Sequence, residues 1–179
     1  MSPGHTPDHA SGHASGHASG QASGQASGRF MREAIRLSRE SVRQGGGPFA
    51  AVIVKHGEII AQASNSVTRD NDPTAHAEIN AIRQACRALN TFDLSGCTIF
   101  TSSEPCPMCL GAIYWARLEK IYYGNTKSDA AAIGFDDAFI YQELDAPPEK
   151  RTIPMVNLLP EEAGKAFAEW EAKEDKVEY

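Results

Sequence analysis

Positive charge is the first thing this sequence lacks. Lys and Arg number 17 against 23 Asp and Glu, a formal charge of −6, whereas proteins that live on phosphate backbones carry a basic footprint. Nucleic acid is therefore not the expected partner. Long apolar runs are missing as well. No stretch approaches the ~18 to 20 apolar residues of a membrane-spanning helix, and the N-terminus has no apolar stretch of the secretory kind. With 41% apolar and 22% charged residues in 179, the chain can still bury one core, so the expectation is a soluble, cytoplasmic, single-domain protein. Cysteine is sparse: Cys86, Cys97, Cys106 and Cys109, unevenly spaced, do not make the framework of a small disulfide-bonded fold. Cys86 and Cys97 read as small buried hydrophobes. Cys106 and Cys109, three residues apart and preceded by a proline, read differently.

Residues His9–Gly28 are five tandem tetrapeptides, His-Ala-Ser-Gly three times and Gln-Ala-Ser-Gly twice. They hold no large apolar side chain to offset the entropy of ordering, and a glycine recurs every fourth residue. Residues 1–28 are therefore expected to be a disordered low-complexity tail. His5, His9, His13 and His17 also recur every four residues; weak metal capture is one reading of them, tolerated repeat expansion at a terminus the simpler one. The domain proper is then 29–179.

Within it, Phe30, Ala34, Leu37 and Ser41 repeat at helical spacing until Gly45-Gly46-Gly47-Pro48 stops the pattern. Residues 49–55 and 58–63 are β-branched apolar runs around His56-Gly57, which predicts a hairpin. A turn at Asn71-Asp72-Pro73 precedes a second helix with Ile79, Ile82, Ala85, Cys86 and Leu89 on its inner face. A buried strand over 98–101, a helix from Pro107 to about Ala116 and a strand over 120–123 follow. Beyond Gly124 the pattern predicts a polar loop, a helix near 136–142, a break at Pro147-Pro148, a possible strand near 153–156 and a last helix over about 161–173. Hairpin, then alternating helix and strand, implies an α/β domain: a three-layer α/β/α sandwich on a mixed central sheet.

The chemistry-bearing residues fall in two segments, His76-Ala77-Glu78 and Pro105-Cys106-Pro107-Met108-Cys109, each at the start of a predicted helix. His76, Cys106 and Cys109 supply three zinc ligands, and three protein ligands with a fourth position open distinguish a catalytic zinc from a closed structural one. The positive end of a helix dipole favours thiolates, so both cysteines are expected to be ionised even without metal. Glu78 is placed to relay a proton from the attacking water. Alone, a C-x-x-C pair also fits a redox couple or half of a structural site, for which Cys97 is the one serious further ligand. H-x-E together with P-C-x-x-C is the zinc-deaminase pattern, with the Glu as general acid and base.

Over nearly all of 30–179 the sequence resembles the cytidine-deaminase-like superfamily and, within it, the bacterial guanine deaminases. The resemblance rests on residues 47–49 (Gly-Pro-Phe), 71–78 (Asn-Asp-Pro-Thr-Ala-His-Ala-Glu), 104–117 around the two cysteines, 134–137 (Gly-Phe-Asp-Asp) and the final Glu178-Tyr179. Ala50 departs from a usual glycine, and Ser103 from a frequent cysteine. The resemblance implies one zinc per chain and hydrolytic deamination of guanine to xanthine and ammonia, in purine catabolism or salvage. It further implies that Asn65 and Asp137 bond the purine edges, that Phe49 and Trp115 line the ring pocket, that Ala77 is among the substrate-binding residues, and that Tyr179 closes the pocket. A homodimer is implied too, with residues 147–179 exchanged between subunits. Without the resemblance, Asn65 is a turn residue, Asp137 a helix cap, Phe49 and Trp115 core aromatics and Tyr179 a loose end. Two competing functions remain open at this point: a tRNA adenosine deaminase sharing the zinc motif, and a non-catalytic zinc-stabilised module, which would have no need of Glu78.

Overall fold

The computed structural model describes the backbone of residues 16–178 and the side chains of 27–178. The elements run α1 (Gly16–Arg43), β1 (Ala50–Lys55), β2 (Glu58–Ser64), α2 (Val67–Asp70), α3 (Ala77–Leu89), β3 (Cys97–Ser103), α4 (Pro107–Trp115), β4 (Lys120–Asn125), α5 (Lys127–Ala132), α6 (Ala138–Asp145) and α7 (Pro160–Ala172), with a 3-10 turn at Pro148–Lys150. The predicted hairpin forms as β1 and β2. Its turn places His56 and Gly57 at φ 51° and 81°, the left-handed pair that matches strand twist.

Among the described residues the sheet has order β2-β1-β3-β4. β1 pairs antiparallel with β2 and with β3, while β3 and β4 are parallel, because α4 crosses over between them. The sheet is thus mixed, as expected. Central strand β1 has residues 50–54 buried and serves two faces by simple alternation. Val52 and Val54 meet Phe30 and Ala34 of α1 together with Phe100. Ala51 and Ile53 meet Ala77, Ala81 and Ala85 of α3 and Ile113 of α4. Alanines at 77, 81 and 85 share one helical stripe and let α3 lie close on the sheet. Fully buried Ile53 and Ile99 each contribute roughly 1.5–3 kcal/mol by burial. The result is the expected three-layer α/β/α arrangement.

Four segments differ from expectation. α1 begins at Gly16, so its backbone is helical through part of the repeat tail; once the packed turns nucleate a helix, each added residue costs only propagation, and alanine offsets glycine in part. Residues 1–15, with His5, His9 and His13, lie outside the described residues. Residues 153–156 are not a strand. Ile153 and Val156 are 78% and 82% exposed, and none of the four strands among the described residues pairs with them. The polar loop after β4 contains a helix, α5, and a further short helix, α2, forms after β2.

β2 and β3 both run against β1, so their C-terminal ends lie at the same edge of the sheet, and α3 and α4 begin there. Ligand sites in α/β sheets form at such carboxyl ends.

Candidate active site

Each helix start presents one expected metal ligand. His76 is the N-cap of α3 and Cys106 the N-cap of α4, both with extended backbone, and neither side chain caps its helix. Pro107 occupies the first turn of α4, where its missing N–H costs nothing. Cys109 follows one turn on. The approach to His76 is built by a turn: Asp72 Oδ1 accepts from the Thr74 N–H and hydroxyl, each at 2.7 Å, and the Ser66 N–H donates to Ala75 O at 2.9 Å.

His76 Nδ1 lies 3.5 Å from the Sγ atoms of both Cys106 and Cys109. These three form a cluster whose ligand atoms all lie within 4.8 Å of one another. Tetrahedral zinc with ordinary Zn–S and Zn–N bonds sets nitrogen and sulfur about 3.5 Å apart, so the donor set fits zinc. Cys97 does not join the cluster. It starts β3 whereas the site lies past its end, about 20 Å along an extended strand, which leaves, among the described residues, a three-ligand centre.

Hydrogen bonding from Cys109, with His76 beside it, pulls the Cys106 thiol down to about 4. Cys109 moves up, because its proton is the one shared with the Cys106 thiolate and because it is buried. With one proton shared between them, the two sulfurs shift in opposite directions. His76 is raised chiefly by its contact with Cys106. Glu78, in the first turn of α3, is 8% exposed, and burial pushes its carboxyl above the usual carboxylate range. That suits a group that must both take and return a proton.

A cavity of about 670 Å³ opens on this cluster and brings together His76, Glu78, Cys106, Asn65, Phe49 and Asp137. Asn65 is both a turn residue and a wall: its Oδ1 accepts from the Val67 N–H at 3.2 Å. Asp137 is the N-cap of α6 but makes no capping bond, and burial together with the nearby Cys106 charge raises its carboxyl. Phe49 meets Phe135 edge-on at 4.8 Å. Ala77 is buried at 1% in the core under α3. Trp115 is 69% exposed and does not line the cavity of its own chain. Nine residues separate it from Cys106, which on a helix means the opposite side and roughly 13 Å of rise. Tyr179 lies outside the described residues.

The sequence reading missed several walls: the glycines 45–47, Val67 and Thr68 of α2, Lys127 of α5 and Ile140 of α6. A Cβ at Gly46 would lie 2.6 Å from Ser41 Oγ, so any larger residue there requires the serine side chain to shift. α5 did carry a readable signal. Thr126 and Asp129 form a reciprocal capping box, the S/T-x-x-acid signature of a helix start.

The chain matches the family described as the cytidine and deoxycytidylate deaminase zinc-binding region over residues 25–125. It is 52% identical over 151 residues to a guanine deaminase of Bacillus subtilis (strain 168), spanning 84% of this chain and 97% of that protein. The X-ray structure of guanine deaminase from Bacillus subtilis superposes with a TM-score of 0.82 over the same shares of the two chains. A tRNA-specific adenosine deaminase of Aquifex aeolicus (strain VF5) is 36% identical over 141 residues, 79% of this chain and 91% of that one. A further solved structure, in complex with 2,6-diaminopurine, is 37% identical and covers 60% of this chain and 61% of its own, with a TM-score of 0.59.

Proposed function

The chain belongs to the cytidine and deoxycytidylate deaminase zinc-binding family, and from that premise we propose that it hydrolyses guanine to xanthine and ammonia, with one zinc per chain held by His76, Cys106 and Cys109. The observation that carries this reading is the buried Glu78 beside a three-ligand centre that lines a cavity with ample room for a purine base. A structural zinc site needs neither the acid nor the cavity.

Zinc supplies Lewis acidity and a nucleophilic water at neutral pH. With zinc held there, Glu78 would take one proton from the attacking water and pass it to ring N3 as the oxygen bonds to C2 and the C2=N3 pair moves onto N3; it would then carry the remaining hydroxyl proton to the C2 amine, which leaves as ammonia as C2=O forms. Asn65 and Asp137 hold the purine edges by hydrogen bonds, and Phe49 packs on the ring. A site that pairs both edges rejects bases that leave its buried polar groups unsatisfied. Ala77 serves through its backbone, its side chain being committed to the core.

The partner is a small purine base, in keeping with the structural neighbour that holds 2,6-diaminopurine. No described helix is long and apolar enough to cross a membrane. Four free cysteines, two of them zinc ligands by this reading, suit a reducing cytoplasm. Residues 29–179 form the catalytic domain, and 1–28 are a dispensable tail.

The working unit is a homodimer in which the segment from Pro147 to Tyr179 crosses to the second subunit. Supporting this, Leu158 and Phe167 are 77% and 82% exposed within a single chain, leaving apolar surface that a second copy can cover. Tyr179 then closes the partner's pocket, and Trp115, distant from its own cavity, faces the second copy. Mixing an inactive His76→Ala chain that keeps its tail with a chain lacking Glu178 and Tyr179 restores activity if the tail acts across the interface; no recovery refutes exchange.

The function itself is tested by ammonia release from guanine, from an adenosine in a tRNA hairpin and without substrate, at equimolar zinc. Release from guanine alone supports the reading. Release from the hairpin alone transfers the chain to the tRNA branch.

A further inference from the structure

The segment between β2 and α3 carries Asn65 to the cavity and returns to His76. Besides the Ser66 N–H to Ala75 O bond, one side-chain amide ties its two ends. Asn80 Nδ2 donates to Ser64 O at 3.2 Å, Ser66 Oγ at 3.0 Å and Ala75 O at 3.3 Å. Ser66 and Ala75 are buried, at 3% and 2% exposure, and Ala75 O also accepts from the Ser66 N–H at 2.9 Å, so the amide supplies the side-chain half of a junction whose other half is backbone, and its loss leaves that junction on one hydrogen bond. Asn80 sits one turn along α3 from His76, and its own N–H donates to His76 O at 2.9 Å.

The segment has two sides. Ser64, Ser66 and Asn80 line a second cavity, of about 380 Å³, behind the active site, while Asn65 and Val67 line the active cavity. Asn80 therefore reaches the substrate-binding side only through the backbone on either side of Asn65. We infer that Asn80 is a positioning residue for purine recognition, locking the Asn65 loop to the helix that bears His76 and Glu78. The inference rests on the purine-binding reading above. Its physical basis is that three oxygens converge on one group able to donate two protons, an arrangement that disperses once the donor is lost.

Asn80→Asp tests this, because the side chain keeps its size while its donor becomes a fourth acceptor. In the zinc-loaded full chain it should raise KM for guanine about tenfold or more, as expected for buried hydrogen bonds lost, with a smaller change in kcat and unchanged zinc content. Amide exchange at residues 64–67 should quicken while that of α1 stays protected. In an Asn65→Ala background, Asn80→Asp should add nothing further to KM, since residues acting through one another are not additive. Asn80→Ser, milder in its effect on folding, should show the same pattern at smaller size. A KM within twofold of wild type, or effects of Asn65→Ala and Asn80→Asp that multiply, overturns the inference. If wild type itself fails to turn over guanine, the functional reading falls alone, and unchanged exchange at 64–67 is then the result that overturns the role of Asn80.

Discussion

Replacing Glu78 with Gln removes a proton acceptor and little else. The side chain is 8% exposed on the first turn of α3, and an amide of equal volume fits the same space without disturbing Ala77 or Ala81 beneath. Groups that move protons in the transition state contribute roughly 10²- to 10⁴-fold, or about 3–5.5 kcal/mol of barrier at 1.36 kcal/mol per decade. Glu78 is used twice, to pass one proton from water to ring N3 and to carry the next to the amine, so the loss should fall in the upper half of that range. Glu78→Asp keeps the acid but withdraws it by one methylene. A misplacement of about 1 Å costs on the order of 10²-fold, so Asp should be impaired yet faster than Gln. The assay is steady-state conversion of guanine to xanthine by absorbance, with zinc content and direct guanine binding measured on the same preparations. Zinc and binding should be retained by both variants. A Gln variant within about threefold of wild type, or an Asp variant slower than Gln, refutes the role assigned to Glu78.

Other expectations follow from the same geometry. Asp137→Asn should lower kcat/KM for guanine by about tenfold or more through loss of a charged acceptor, with melting temperature nearly unchanged; equal loss of stability would point to a folding role. Thr126→Ala should destabilise the α5 wall by about 1 kcal/mol, as helix caps do, read by chemical denaturation. The Thr126 hydrogen bonds hold the Asp129 carboxyl below its usual range. Its contribution is therefore present above the unfolded-state value and lost as pH falls through the folded one, so Asp129→Asn should cost stability at pH 7 but not at pH 2. Deleting Glu178 and Tyr179 should leave the oligomeric state intact by sedimentation while guanine turnover falls sharply; unchanged turnover would remove Tyr179 from the site.

What the sequence made legible follows from the range of the interactions. His76-x-Glu78 and Cys106-x-x-Cys109 each span one helical turn, so local geometry fixes them as soon as the helix starts are recognised, and only the meeting of the two turns needed the fold. The hairpin and β3 were equally local. The walls made by Val67 and Thr68 were not legible, because a helix of four residues is shorter than any window in which periodicity can be seen; Lys127, on a helix of six, was marked only by the Thr126–Asp129 capping box before it. The apolar residues near Ile153 read as a strand because pattern alone cannot tell whether a neighbouring strand exists to pair with.

By the proposed function, His76, Cys106 and Cys109 hold the zinc on which the conversion of guanine to xanthine depends. Protein lacking residues 1–28, so that tail histidines cannot inflate the metal count, should be stripped with a chelator and titrated with zinc while xanthine formation is followed. Activity should vanish on stripping and return in proportion to zinc up to one equivalent per chain. Turnover that persists in stripped protein, or zinc-replete protein that forms no xanthine, contradicts the account.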